Sequence, residues 1–371
     1  VLLHGESDTQ EFERAEVAWE GRVWTLQNYR GLLSGHAELR MLTATLALAG
    51  ASALIAFLIG LPVGLLFGAT DIPARGFFET LSALPLVLPP ILLAIATYFD
   101  LLGIEPAFLR AVFVFGLSLW PLVSLFTARA VRATGAEAID AARISATPFE
   151  AIMRVVLRPA LPGAAAGALL AFVFVVSDFA VPDFLGVTTA QNTITVYANA
   201  VFRFWATTER DVGAAAAVGM PATLLAGLAF ALVLWVEARR SGARTVGASF
   251  RDLNPIPLGG WRWPALAAVC LLLLVSLAWP LVRHLESAAG KHFGQPVAMT
   301  GARTQVQEDS RGRPDSVWDG LRRGIRHDGI GEAVRNSLML AGGGALLAVL
   351  LALMLTEAGR GRPGLDRILL V

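Results

Sequence analysis

Apolar stretches long enough to cross a bilayer constrain this chain more than any other feature. They fall near residues 41–68, 80–103, 109–128, 161–178, 213–236, 264–282 and 336–356, and a further run opens near 366. About 20 residues of helix cover about 30 Å of hydrocarbon. No water is available there, so each segment must satisfy its own backbone donors and acceptors, which a helix does internally. The expected fold class is therefore all-α, a polytopic helical membrane protein. Composition agrees: 16% of the 371 residues are charged, against about 25% in a soluble domain. A net charge of +1 leaves no electrostatic footprint for nucleic acid. The single cysteine, Cys270, lies inside an apolar run and excludes both a disulfide framework and a cysteine metal cluster.

Lys and Arg in the shorter loops set the orientation. Arg129, Arg132, Arg143, Arg154 and Arg158 mark 129–160 as cytoplasmic, and Arg239, Arg240, Arg244, Arg251 and Arg262 do the same for 237–263. Alternation then places 1–40, 101–108, 183–212 and 283–335 outside, and 1–40 is rich in acidic residues. The 283–335 segment is basic, but its length removes it from the rule. "AGASALIA" at 49–56 returns as "AGGGALLA" at 341–348, which reads as a second copy of one bundle or as chance likeness between two Ala/Gly/Leu helices. The chain is expected to be cut at both ends, with "VLL" closing a preceding span and "DRILLV" beginning another.

Between the third and fourth runs lies a charged stretch carrying Glu137, Asp140, Arg143, Glu150, Arg154 and Arg158. It predicts a helix, a turn and a second helix. Phe149, Ile152, Met153 and Val156 form an apolar stripe with i, i+3, i+4, i+7 spacing, and Glu150, Arg154 and Arg158 line another face. Thr147 is the expected cap, Pro148 suits the first helical position, and Glu150 completes a Thr-x-x-Glu capping box. Pro159 is expected to end this helix. A helix so short and one-sided needs a surface to dock on, unless it rests on lipid headgroups.

The segment "DAARISATPFEAIMRVVLRPALPGAAAG" resembles the Glu-Ala-Ala loop of permease subunits of ATP-binding-cassette (ABC) importers served by periplasmic binding proteins. By that match Asp140, Ala141 and Ala142 take the Glu-Ala-Ala positions, Ala146 that of a glycine, and Leu157 with Arg158 that of Leu-Pro. Asp for Glu, Ala for Gly and Arg for Pro are departures from the pattern. "SDFAVPDFLG" at 177–186 and "TITVYANAVFRFW" at 193–205 are similar to ferric-iron-type permeases, in which two such domains are fused. The resemblance implies a type I ABC importer transmembrane domain over 42–237, preceded by an extracytoplasmic segment over 1–41. A linker, one span and an outer loop would occupy 238–334, and a second domain would begin over 335–371. It further implies a multi-pass protein of the bacterial inner membrane. Its partners would be the lipid bilayer, a periplasmic substrate-binding protein and a cytoplasmic ABC ATPase dimer, docked through the 136–158 hairpin with Asp140, Ala141, Ala142, Ala146, Thr147, Pro148, Phe149, Ile152, Met153 and Arg154. ATP would be hydrolysed by that partner, with no cofactor on this chain. Ferric iron is the implied substrate; thiamine, aminoethylphosphonate or a polyamine are the alternatives.

Pro85, Pro89 and Pro90 fall in one run and should break or kink it, which suits a translocation path or a packing kink. Gly163 and Gly167 form a small-xxx-small pair for close helix approach. Asp178 and Asp183 at a span's outer end are the candidate pathway carboxylates, or else solvated charges at a helix exit. No tight metal-ligand spacing involves the five histidines, and no phosphate-cradling or nucleophile motif occurs, so no catalytic residue is expected. An ion-driven secondary transporter would require ionisable residues well inside the spans, and Glu79, Asp100 and Asp178 stand only at their ends.

Overall fold

The computed structural model describes residues 36–97, 107–133, 140, 147–187, 196–207, 212–242, 255–288 and 330–359. Among these, everything regular is helical apart from one isolated β-bridge. In chain order the helices are α1 (His36–Ala69), α2 (Arg75–Leu81), α3 (Pro90–Thr97), α4 (Ala107–Arg132) and α5 (Pro148–Ala151). Then come α6 (Leu157–Ser177), α7 (Ala180–Phe184), α8 (Tyr197–Thr207), α9 (Val212–Gly242), α10 (Arg262–Leu273), α11 (Trp279–Ala288) and α12 (Ile330–Gly359).

Helices α1, α4, α6 and α9 form the core, with α6 touching the other three. In lipid there is little hydrophobic drive between helices, so close backbone approach has to supply the packing. Gly60, Gly64 and Gly68, spaced by four along α1, provide it. A Cβ on Gly60 would lie 2.5 Å from the Trp120 carbonyl oxygen, one on Gly64 2.5 Å from Thr127 Cβ, and one on Gly68 2.7 Å from Val131 Cβ. On α6, a Cβ on Gly167 would lie 2.6 Å from Val123 Cα. Of the pair read from sequence at 163 and 167, Gly167 thus sits in a helix contact and Gly163 is buried, while the longer stripe on α1 carries the larger interface.

The 80–103 run is not one straight span. Residues 75–86 and 90–96 meet at 86°. Pro85 opens a single 3-10 turn at Leu84–Leu86, and Pro90 begins α3. The prolines break the ladder as expected, because each lacks a donor.

The charged stretch requires a correction. Pro159 does not end a short helix. After α5 the chain makes a π turn over Ile152–Val156 and continues without a break into α6, so Phe149–Ser177 is one rod of 29 residues. In the π turn the Leu157 N–H donates to the Ile152 carbonyl, five residues back. The wider turn makes room where the Pro159 ring would meet the carbonyl four residues before it. At 1.5 Å per residue the rod is about 43 Å long, about 13 Å more than the hydrocarbon. Its first turns precede the apolar run that begins near 161, so the surplus length falls at this end.

Contacts sort the loops into two ends. Arg132 at the end of α4 pairs with Glu79 and donates to the Phe67 carbonyl, and residue 256 bridges to Thr70. The Tyr197 N–H meets Thr45 Oγ1 at 3.0 Å at the opposite end. The segments 69–79, 132, 148–156 and 255–262 thus share one end, as the charge-derived alternation requires. The rod of α10, a π turn over Leu274–Ala278, and α11 lies along this bundle. Arg262 lies over the Trp263 ring near one end of that rod and Arg283 over the Trp279 ring towards the other, residue types that favour membrane interfaces. Helix α12 is the expected span at 336–356, and none of its apolar window is buried among the described residues.

Candidate functional site

The projecting start of the α5–α6 rod carries the most distinctive local construction. The Thr147 N–H donates to Glu150 Oε2 at 3.2 Å, and the Glu150 N–H donates back to Thr147 Oγ1 at 3.4 Å. The Thr147 hydroxyl donates to the same carboxylate at 3.1 Å. This is the reciprocal capping box read from the sequence. One turn on, Arg154 lies 3.5 Å from Glu150. The Thr147 backbone N–H, its hydroxyl and the Arg154 charge together hold the Glu150 carboxyl below its ordinary value of 4.5. Glu150 precedes the apolar run that begins near 161 and lies in the projecting turns.

The apolar stripe divides in two. Ile152 is 9% exposed and Val156 is fully buried, packed with Leu65, Ala69, Val131 and Ile256. Phe149 is 71% exposed and Met153 37%. Ile152, expected among the docking residues, therefore belongs to the bundle interior and is unavailable to a partner. The reason is geometric. A stripe at helical spacing spans an arc wide enough to face two ways, and here α1 and α4 take one side of it. What remains is a pair at i, i+4, Phe149 and Met153, with Arg154 beside it on an exposed helix start. An apolar aromatic held open on a capped, anchored turn fits a binding surface and has no nucleophile or acid–base pair within it. Asp140 is helical and half-buried; Ala141, Ala142 and Ala146 lie outside the described residues.

The pathway candidates have structural partners. Asp178 Oδ1 accepts from the Val181 N–H at 3.0 Å and so starts α7. Asp183 Oδ1 accepts from Asn199 Nδ2 at 3.1 Å, tying α7 to α8. Pro89 is exposed and Pro90 half-buried at the bend before α3. A cavity of about 780 Å³ opens between α6, α8 and α9, lined by Val176, Phe179, Phe202, Ala222 and Phe230 among others. Phe179 and Phe202 stack there at 4.9 Å. Asp178, Asp183 and the Pro89–Pro90 bend are not among its lining residues; α7, which Asp178 starts and which carries Asp183, packs instead against α3, the helix that Pro90 begins. Among the described residues no group of three His, Cys, Asp or Glu side chains is placed to hold a metal. His284 Nε2 lies 3.0 Å from the Leu92 carbonyl, a tie between α11 and α3.

Ile256 and Asp71 escaped the sequence reading. Ile256 is 1% exposed and completes the floor beneath Ile152 and Val156. Its only local signal is an isolated apolar residue between two prolines, Pro255 and Pro257.

Over residues 56–278, more than half of the chain, the sequence matches the family model described as binding-protein-dependent transport system inner membrane component. The matched stretch runs from within α1 to the π turn after α10, and contains both the projecting tip and Ile256. Comparison with curated proteins gives no match.

Proposed function

The chain belongs to the family of binding-protein-dependent transport system inner membrane components, permease subunits of ABC importers with a type I transmembrane fold, and we propose that its Phe149–Met153 tip is the point gripped by a cytoplasmic ABC ATPase dimer. The observation that carries this reading is the exposed Phe149, held open by a capping box while its neighbours Ile152 and Val156 are locked into α1 and α4. A rigidly anchored apolar knob at the end of a membrane-crossing rod suits force transfer: a push on the knob moves α6, and α6 touches every other core helix. ATP is bound and hydrolysed by the partner subunit. Closure of the ATPase pair moves the tip and switches the bundle between outward and inward access.

On the opposite face of the bacterial inner membrane a periplasmic binding protein delivers the solute. The likeness of 177–205 to ferric-iron-type permeases makes ferric iron the proposed substrate. The described lining of the α6–α8–α9 cavity has no carboxylate, and a resident site for so hard a cation would need oxygen ligands. In this reading selection of the metal rests with the binding protein, and Asp178 and Asp183 serve the path by shaping its outer mouth. In the complete transporter, Phe149→Asp places a charge in an apolar socket and abolishes substrate-stimulated ATP hydrolysis. Stimulation equal to the parent's in that variant contradicts the reading.

A further inference from the structure

Residues 255–258 leave the cytoplasmic linker and cross the end of α1 before the chain enters α10. The Ile256 N–H donates to the Ala69 carbonyl at 2.7 Å, and the Asp71 N–H donates to the Ile256 carbonyl at 3.3 Å, forming an isolated parallel bridge. The Leu258 N–H then donates to Asp71 Oδ1 at 2.8 Å. Between these bonds the Ile256 side chain drops into the pocket formed by Leu65, Ala69, Val131, Ile152 and Val156. Immediately after, Gly259 takes φ +57, a conformation that a side chain would strain, and the 3-10 turn Gly259–Trp261 leads into α10.

We propose that residues 255–258 are a strap that positions the docking tip, with Ile256 and Asp71 as its positioning residues. The strap ties the α10–α11 rod mechanically to the tip. Two of the four apolar tip residues face inward, and the strap, through the buried Ile256 and the half-buried Leu258, supplies the part of the surface they rest on that comes from neither α1, α4 nor the rod itself. Without it Ile152 and Val156 lose a wall, and the exposed pair Phe149 and Met153 loses its fixed bearing. Asp71 holds the strap from the α1–α2 turn, so a shift of α10 relative to α1 loads this clamp together with the direct packing of Val269 and Leu273 on Val63 and Phe67. The role of the tip rests on the ATPase-docking reading above; the holding of the tip by the strap does not.

The test uses the complete transporter, with ATPase and binding protein; transport per ATP and hydrolysis are measured without a label, and tip mobility is read separately from a nitroxide on Met153→Cys in a Cys270→Ala background. Ile256→Ala and Asp71→Ala are compared with the conservative Ile256→Val and Asp71→Asn, which keep the branched side chain and the acceptor oxygen. The expected result is a more mobile label and transport per ATP lowered by about fivefold or more, the scale of ordinary coupling between sites. Basal hydrolysis and recovery of the assembled complex stay at the parent level, and the conservative variants restore both readouts. If Ile256→Ala does not assemble, Asp71→Ala, which removes one hydrogen bond, carries the test alone. Parent mobility and parent transport per ATP in Asp71→Ala overturn the proposal. Failure of the docking reading shows separately: Phe149→Asp then leaves stimulated hydrolysis intact, while the label still reports whether the strap holds the tip.

Discussion

Truncating Phe149 to alanine is the perturbation whose magnitude the structure sets most clearly. A phenylalanine buries roughly 200 Å² when fully covered, so the 71% left open on Phe149 offers about 140 Å² to a partner. At about 25 cal/mol per Å² that surface is worth about 3.5 kcal/mol. Alanine keeps part of the contact, and ordering the ring in the complex costs about 0.5–1 kcal/mol. About 2 kcal/mol remains, or roughly 30-fold weaker binding of the ATPase. The assay is titration of the ATPase onto the permease in nanodiscs, read as the half-saturating concentration for stimulated hydrolysis. Phe174→Ala is the control, since Phe174 is 54% exposed near the end of α6 opposite to the tip. A Phe149→Ala titration within about twofold of the parent, or an equal loss in Phe174→Ala, would refute the assignment of the knob.

Gly64→Ala drives a Cβ to 2.5 Å from Thr127 Cβ and 2.6 Å from the Ser124 carbonyl oxygen; a loss of about 1–3 kcal/mol is expected from such overpacking. Thermal unfolding in detergent should show it, with Gly50→Ala, which meets nothing within 4 Å, close to the parent. Asp183→Ala leaves the amide of the fully buried Asn199 without its carboxylate, a loss of about 1–3 kcal/mol. The same unfolding experiment detects it, and an unchanged midpoint would contradict the tie between α7 and α8. The capping box has a defined pH response. Because the folded-state pKa of Glu150 is depressed, its contribution is present above the unfolded value and is lost only as pH falls through the folded one. Order at the tip, read by a probe on residue 153, should be constant between pH ~6 and ~8 and should fall only in acid below the ordinary carboxylate range.

What the sequence made legible was local or periodic. The spans follow from uninterrupted apolar runs, and the capping box from residues three apart whose partners are each other. The bend at Pro85–Pro90 follows from missing donors. Gly60, Gly64 and Gly68 were equally visible as a four-residue repeat, although the shorter pair at 163 and 167 attracted the reading. The failures share a different cause. Pro159 looks like a stop because an α-helical ladder cannot tolerate it, and only the π turn, which no single residue announces, lets the rod continue. Ile152 and Phe149 share one stripe, and periodicity cannot say which side of a stripe the bundle will claim. Ile256 meets Ile152 across about a hundred residues of intervening chain, and no spacing rule reaches that far.

Sidedness tests the central claim most directly, because a tip gripped by a nucleotide-driven subunit has to face the cell interior. The measurement is labelling of Met153→Cys, in a Cys270→Ala background, with a membrane-impermeant maleimide. The account predicts no labelling in intact cells and full labelling in inside-out vesicles stripped of the ATPase; labelling in intact cells would contradict it.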